Sequence, residues 1–241
     1  MRTFVIGDIH GGLKALPQVF KKAKITIEDT LIFLGDYVDG WSESAQVIDF
    51  LIELNKKHKC IFIKGNHDLW CEDWLKTGED ETIWLVHGGK ETKKSYESYS
   101  EEQKHEHLAF FQQMKPYHID SKNRLFIHAG FTSMHGVEKE TFKLNYHFDR
   151  TLWETALATD KNLSKKSELY PERFTHYSEI YIGHTPTIRY NSSIPINALN
   201  LWNIDTGAAF TGYLTIMDID SKEFWQSDQV KTLYANEKGR N

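Results

Sequence analysis

At 241 residues and 28.2 kDa, with 40% hydrophobic and 13% aromatic residues, the chain is long enough to bury one sizeable α/β core, and its mean hydropathy of -0.53 reflects a charged surface rather than disorder. A formal charge of -5, from 29 basic and 34 acidic residues, argues against broad attraction to nucleic acid or anionic lipid. The first residues lack a signal-peptide pattern, no run reaches the roughly 18 apolar residues of a membrane span, and the two cysteines, Cys60 and Cys71, make no disulfide framework, so a cytoplasmic protein without a membrane partner is expected.

The first third alternates short apolar runs with amphipathic stretches. Thr3 to Ile6, Thr30 to Leu34 and Cys60 to Ile63 read as buried strands, while Leu13 to Lys22 and Ser44 to Lys57 carry apolar residues at helical spacing. This βαβαβ order predicts parallel strands joined by right-handed crossovers, with the loops after the strands gathered on one sheet edge. From about 71 to 123 the chain is polar and reads as exposed helices carrying no chemistry, and the Lys/Glu-rich run from Lys90 to Lys104 reads as a solvated helical face. A strand returns at Arg124 to Ile127. An irregular, aromatic-dotted stretch over about 131–180 leads to a strand at Ile180 to Ile182, and Leu199 to Gln226 alternates like an antiparallel meander.

Five clusters each follow a predicted strand: Gly7-Asp8-Ile9-His10-Gly11, Gly35-Asp36-Tyr37-Val38-Asp39-Gly40, Gly65-Asn66-His67-Asp68, His128-Ala129-Gly130 and Gly183-His184-Thr185-Pro186. In most of them the strand delivers a glycine, which permits a tight turn and close backbone approach, beside an Asp, Asn or His. Carboxylate and amide oxygens mixed with imidazole nitrogens, and no thiolate, suit a borderline divalent metal in a reactive rather than a structural site. The other eight histidines, among them His87, His107 and His147, read as surface or packing residues.

In this order the clusters resemble the calcineurin-like metallophosphoesterases, and the first two resemble the serine/threonine phosphoprotein phosphatases of the bacteriophage lambda type. The resemblance implies a four-layer α/β/β/α sandwich of two mixed sheets, built as one domain over residues 1–241 with 71–123 and 131–180 as inserted segments. It further implies that Asp8 and His10 hold a first metal, that Asp36 bridges two, and that Asn66, His128 and His184 hold the second. Two divalent ions are implied, manganese first, with iron or zinc as alternatives. A bridging metal-bound hydroxide would attack the phosphorus directly, His67 would protonate the leaving oxygen, and Asp39 would orient His67. Asp68 is read as a helix-start or supporting carboxylate, and Asp205 as a turn former.

One departure bears on substrate. The phosphoprotein phosphatases continue Gly-Asp-x-x-Asp with an Arg-Gly pair whose arginine grips the substrate phosphate, whereas this chain has Gly40-Trp41. Arg150, Arg173 and Arg189 are the candidates to compensate, with Arg150 preferred because the resembled lambda-type enzymes carry a substrate arginine near a tryptophan similar to Trp153. The expected activity is hydrolysis of phosphoserine or phosphothreonine in proteins. The missing arginine keeps a small-molecule alternative open, a dinucleoside polyphosphate hydrolase, and a catalytically silent metal-binding module is a third reading.

Overall fold

The computed structural model describes residues 1–240. Its first half runs β1 (Thr3–Ile6), α1 (Ala15–Ala23), β2 (Thr30–Phe33), α2 (Ser44–Asn55), β3 (Lys59–Phe62) and α3 (Asn66–Thr77), followed by the short α4 (Thr82–Trp84), α5 (Lys90–Ser95) and α6 (Glu101–Gln113). The second half contains β4 (Tyr117–Ile119), β5 (Arg124–Ile127), α7 (Asn145–Phe148), α8 (Thr151–Ala158), β6 (Glu179–Ile182), β7 (Ile196–Ala198), β8 (Leu201–Asn203), β9 (Thr215–Asp218), β10 (Phe224–Gln226) and α9 (Val230–Leu233). No helix is long and apolar enough to cross a membrane.

Two five-stranded mixed sheets form, in the orders β10-β9-β1-β2-β3 and β4-β5-β6-β8-β7. The period-two alternation of side chains explains the layering. On β1, Phe4 and Ile6 pack outward with α1 and α2, while Val5 faces the other sheet. On β5, Leu125 and Ile127 pack outward with α8, while Phe126 faces inward. Between the sheets lie Val5, Ile32, Leu34, Phe126, Tyr181, Ile204, Met217 and Ile219, all buried. Strands covered on both faces must be apolar at every position, and hence they read as continuous runs. The outer layers need only one apolar face per helix: α1 buries Ala15, Leu16, Val19 and Ala23, and α2 buries Val47, Ile48, Leu51 and Leu54.

The parallel pairs β1–β2, β2–β3, β5–β6 and β6–β8 place six strand C-termini on one edge of the sandwich. The five motif clusters leave from the ends of β1, β2, β3, β5 and β6. The tail departs from the expected meander. Although β9 and β10 form an antiparallel hairpin beside β1, β8 pairs parallel with β6 in the other sheet. Alternation reports a pleat facing a core; it carries no information about which sheet supplies the partner. The cover segment also differs from expectation. Its helices end at Gln113 and β4 follows, and Thr92, Ser95 and Tyr96 of the supposedly solvated run are buried against the core side of α2 and α3.

Phe126 stacks on Tyr181 between the sheets, with centroids 5.0 Å apart and planes within 8°. Phe126→Ala should therefore cost about 3–5 kcal/mol of unfolding free energy through lost burial and the cavity left behind, measured by urea denaturation. A second prediction concerns the loop that leaves β5. The buried Glu140 carboxylate accepts hydrogen bonds from the Thr132 and Ser133 amides, the Phe142 amide and the Thr132 hydroxyl. Burial alone would raise its pKa, but these donors hold it down at about 2, against an ordinary 4.5. A depressed acid contributes stability above its unfolded pKa and loses it as pH falls through the folded value. Glu140→Gln should thus destabilise the protein by about 2–3 kcal/mol at neutral pH, and the gap to wild type should close between pH 4.5 and 2 in denaturation curves.

Candidate metal centre

Eight of the nine site residues named from the sequence are gathered in one buried cluster at the strand ends, and the ninth, Arg150, stands in the cleft above them. Four of them, His10, Asp36, Asp39 and His184, have φ between +52° and +70°. This left-handed backbone is rare outside glycine and costs of order 1 kcal/mol or more per residue, so its concentration here marks a site whose geometry the surrounding fold enforces. Close approach is enforced as well: a Cβ at Gly183 would meet Asp8 Oδ1 at 2.0 Å, so only glycine lets the β6 loop reach the β1 loop.

Backbone carbonyls fix the imidazoles. His10 Nδ1 donates to the Asp39 carbonyl at 2.9 Å, and His128 Nδ1 donates to the Leu34 carbonyl at 2.8 Å, so each Nε2 turns inward. His10 Nε2 lies 3.6 Å from Asp36 Oδ2 and 3.9 Å from Asp8 Oδ2. His128 Nε2 lies 3.4 Å from Asp36 Oδ2 and 3.2 Å from Asn66 Oδ1. Asn66 Oδ1 is also 3.0 Å from His184 Nδ1. The metal-binding atoms of His10, Asp36 and His67 fall within 4.8 Å of one another, as do those of Asp36, His128 and His184, and Asp36 belongs to both groups.

The residues fit a pair of cations on physical grounds. Asp8 Oδ1 and His184 Nε2 are buried with no hydrogen-bond partner among the described residues, and each is of an atom type that binds metal ions. Asp8, Asp36, Asp68 and Asp205 are all buried together. Burial, then Asp205 and Asp36, pushes the Asp8 carboxyl well above the usual range. Four carboxylates buried together would call for balancing positive charge, and the hard oxygen and imidazole donors suit divalent ions.

Beside the cluster sits a buried histidine–aspartate pair. His67 Nδ1 and Asp39 Oδ2 are 2.7 Å apart, and burial opposes charge on both, taking His67 down to about 3 and Asp39 up to about 8. The neutral pair and the ion pair therefore differ only in which side of that contact holds the proton. Asp39 is held by residues the sequence reading left without a role. Trp84 Nε1 donates to Oδ2 at 2.8 Å, Thr92 Oγ1 donates to Oδ1 at 2.6 Å, and the Asp39 amide donates to Thr92 Oγ1. The cover segment is thus part of the site. Its only sequence signal is a tryptophan and a threonine inside a charged run, which nothing local distinguishes from surface.

Asp68 acts as expected of a supporting carboxylate. It accepts from the amides of Gly65, Asp36 and Tyr37 at 2.7, 2.8 and 2.9 Å. Asp205 forms the predicted turn, accepting from the Gly207 amide, yet it also lies close enough to Asp8 to raise its pKa. Above the cluster opens a cleft of about 240 Å³ with His67, Asn66 and His184 at its floor, Trp70 and Phe148 in its wall, and Arg150, Arg189 and Arg240 around it. His87 faces it too, exposed and stacked parallel to Trp70 at 6.4 Å, as expected of a surface or packing residue. Arg150 donates to Thr185 Oγ1 at 3.1 Å. Arg173 does not reach the cleft, because it is buried in bonds to the Phe131 carbonyl, Thr151 and Thr155.

Asp68→Asn replaces one acceptor oxygen with an amide group that faces backbone N–H donors. It should weaken divalent-ion binding about 10- to 100-fold without removing any ion-facing atom, read by titration calorimetry with manganese.

A model of the calcineurin-like phosphoesterase family matches residues 1–204. The chain is 27% identical to the asymmetrical bis(5'-nucleosyl)-tetraphosphatase PrpE of Oceanobacillus iheyensis, over 93% of this chain and 91% of that one. Among solved structures it resembles a putative diadenosine tetraphosphatase at TM-score 0.62 and 17% identity, over 93% of this chain and 92% of that one. It also resembles a protein serine/threonine phosphatase from Saccharomyces cerevisiae at TM-score 0.65 and 12% identity, over 95% and 80%. With the match extending from β1 through the end of β8, and with the five motif clusters meeting in one buried cluster, the chain belongs to the calcineurin-like phosphoesterases.

Proposed function

We propose that this metallophosphoesterase hydrolyses dinucleoside polyphosphates, cutting them asymmetrically as the name of its PrpE relative describes, rather than dephosphorylating proteins. The observation that carries the reading is the cleft itself. Three arginines surround a volume of about 240 Å³ whose wall includes Trp70 and Phe148, with His87 stacked on Trp70. A chain of phosphates presents several charges for guanidinium groups to pair with, and an aromatic wall suits a nucleobase. A phosphoserine side chain offers one phosphate and no ring. The likeness to the PrpE sequence over nearly the whole of both chains supports the same reading.

Asp8, His10 and Asp36 would hold one divalent ion, and Asp36, Asn66, His128 and His184 the other, with manganese the expected metal for this oxygen and nitrogen donor set. When bound, the two ions supply charge neutralisation of the phosphoryl oxygens and acidification of the attacking water. The protein's own groups do the rest. Arg150 and Arg189 orient the phosphate chain in the cleft. His67 delivers a proton to the departing phosphate oxygen from the ring nitrogen opposite Asp39, and the proton shared with Asp39 passes to the other nitrogen, so that the ring ends neutral and Asp39 ends as the carboxylate. Trp84 and Thr92 keep Asp39 from turning away. The working place proposed is the cytoplasm, consistent with Cys60 and Cys71 both being free.

With manganese, the protein should hydrolyse diadenosine tetraphosphate to ATP and AMP, with kcat/KM at least about tenfold above that for a phosphoserine peptide, and a chelator should abolish both activities. A preference for the peptide would overturn the substrate assignment. Asp8→Ala should remove activity toward every ester. His67→Asn should lower kcat by about 10²- to 10⁴-fold on the nucleotide but far less on p-nitrophenyl phosphate, whose leaving group needs no proton. Equal losses on the two substrates would remove His67 from the acid role.

A further inference from the structure

We infer that Arg240 supplies the phosphate-gripping guanidinium that the Gly35 to Gly40 motif of this chain lacks. The motif arginine of the resembled phosphatases would stand at position 40, and here Gly40 occupies it. Gly40 has φ +128°, and a Cβ built on it would lie 3.2 Å from Arg240 Cγ and 3.2 Å from the His10 carbonyl oxygen. The Arg240 side chain therefore crosses the space that a side chain at position 40 would fill. From there it borders the same cleft as His67, Asn66, His184 and Arg150.

The neighbouring departure, Trp41, explains how an arginine so distant in sequence is held there. Trp41 is fully buried, donates through Nε1 to the Ala208 carbonyl at 2.8 Å and stacks on Tyr234 with centroids 5.3 Å apart. A Cβ at Gly239 would touch its ring at 2.8 Å, so the segment before Arg240 lies flat on the indole. Ser42 adds two bonds to the Glu237 carboxylate, 2.9 Å from its amide and 2.7 Å from its hydroxyl, and the Arg240 amide donates to the Ala209 carbonyl at 2.9 Å. Residues 40–42 thus make room for the strap and staple it down.

The guanidinium is placed for an anion. Its Nε is buried without a hydrogen-bond partner among the described residues, and its carbon stands 5.4 Å from the centre of the Phe210 ring, a contact that restrains the group without using its donors. A planar guanidinium fork is matched to two oxygens of one phosphate. The assignment rests on the phosphoester chemistry proposed for the cleft, but on no particular leaving group.

The test uses the full chain loaded with manganese and compares wild type with Arg240→Ala, Arg240→Lys and the double variant Gly40→Arg with Arg240→Ala. Arg240→Ala should lower kcat/KM for diadenosine tetraphosphate and weaken binding of inorganic phosphate, measured by calorimetry, each by about 10- to 100-fold, as expected for losing a charge-assisted pair. Melting temperature and manganese stoichiometry should stay at wild-type values. Millimolar guanidine should restore part of the activity of Arg240→Ala while leaving wild type unimproved, Arg240→Lys should fall between, and the double variant should regain phosphate affinity. Phosphate affinity within twofold of wild type in Arg240→Ala, or a loss of activity that tracks only a lowered melting temperature, would overturn the inference. A wild type that prefers phosphopeptides would overturn the nucleotide reading instead, because the phosphate measurement is independent of what the phosphate was attached to.

Discussion

Everything at the strand ends depends on one buried carboxylate that faces away from the proposed ions. Asp68 takes amide hydrogens from Asp36 and Tyr37 on the β2 loop and from Gly65 on the β3 loop. Two loops that share no sequence contact are thereby bolted at a fixed spacing, and the His67 amide then finds Asp36 Oδ1 at 3.0 Å. Burying a carboxyl of this kind is unfavourable and pushes its pKa up to about 7, with Asp36 adding to the effect of burial. Three amide donors are the compensation. They also satisfy loop N–H groups that would otherwise be orphaned in the interior, so the carboxyl and the loops each remove the other's cost.

The same logic extends outward in shells. The two sheets supply rigid strand ends, and the left-handed residues His10, Asp36, Asp39 and His184 turn the chain immediately after them so that side chains face one another across the gap. Such turns persist only when the structure around them over-determines the backbone. Here the surroundings include the cover segment, because Trp84 and Thr92 close over Asp39, and they include the strap on Trp41. Segments that look peripheral in the chain are therefore what keeps the strained turns in place.

Legibility in the sequence followed locality. The strands β1 and β2 were readable because burial on both faces leaves unbroken apolar runs, β3 because its run from Cys60 to Ile63 stays apolar at the half-buried sheet edge, and the site was readable because each of its loops carries its own short polar signature directly after a strand. The resemblance of those signatures to a known family then supplied the second sheet and the ion grouping, which periodicity alone does not contain. What could not be read lies in contacts between distant segments. Thr92 is 53 residues from Asp39, and it looks like surface because its neighbours Glu91, Lys93 and Lys94 are charged. The split of the tail between two sheets was hidden for a related reason: Leu201 and Ile216 have the same alternating surroundings but opposite sheets as partners. Arg240 went unnoticed because nothing near it in the chain marks it, and only the folded position of Gly40 gives it meaning.

Chemistry and selection are consequently carried by different kinds of residue. The groups proposed to hold the ions sit on strand ends whose positions are set by sheet pairing. The cleft arginines come from later segments: Arg150 at the start of α8, Arg189 in the turn after the Gly183 cluster, and Arg240 on the strap. None of these segments contributes to the parallel strand pairs that deliver the motif clusters. A guanidinium at position 40 would be fixed to the turn that carries Asp36 and Asp39, tied to the phosphate nearest the ions. Carried instead on a strap anchored by an indole, it approaches from the side of Phe210, and the backbone at Gly40 is left bare. The fold can therefore keep one hydrolytic centre while the arrangement of charge above it changes, and a cleft with three arginines from three separate segments is the form that an extended, multiply charged phosphate chain would require.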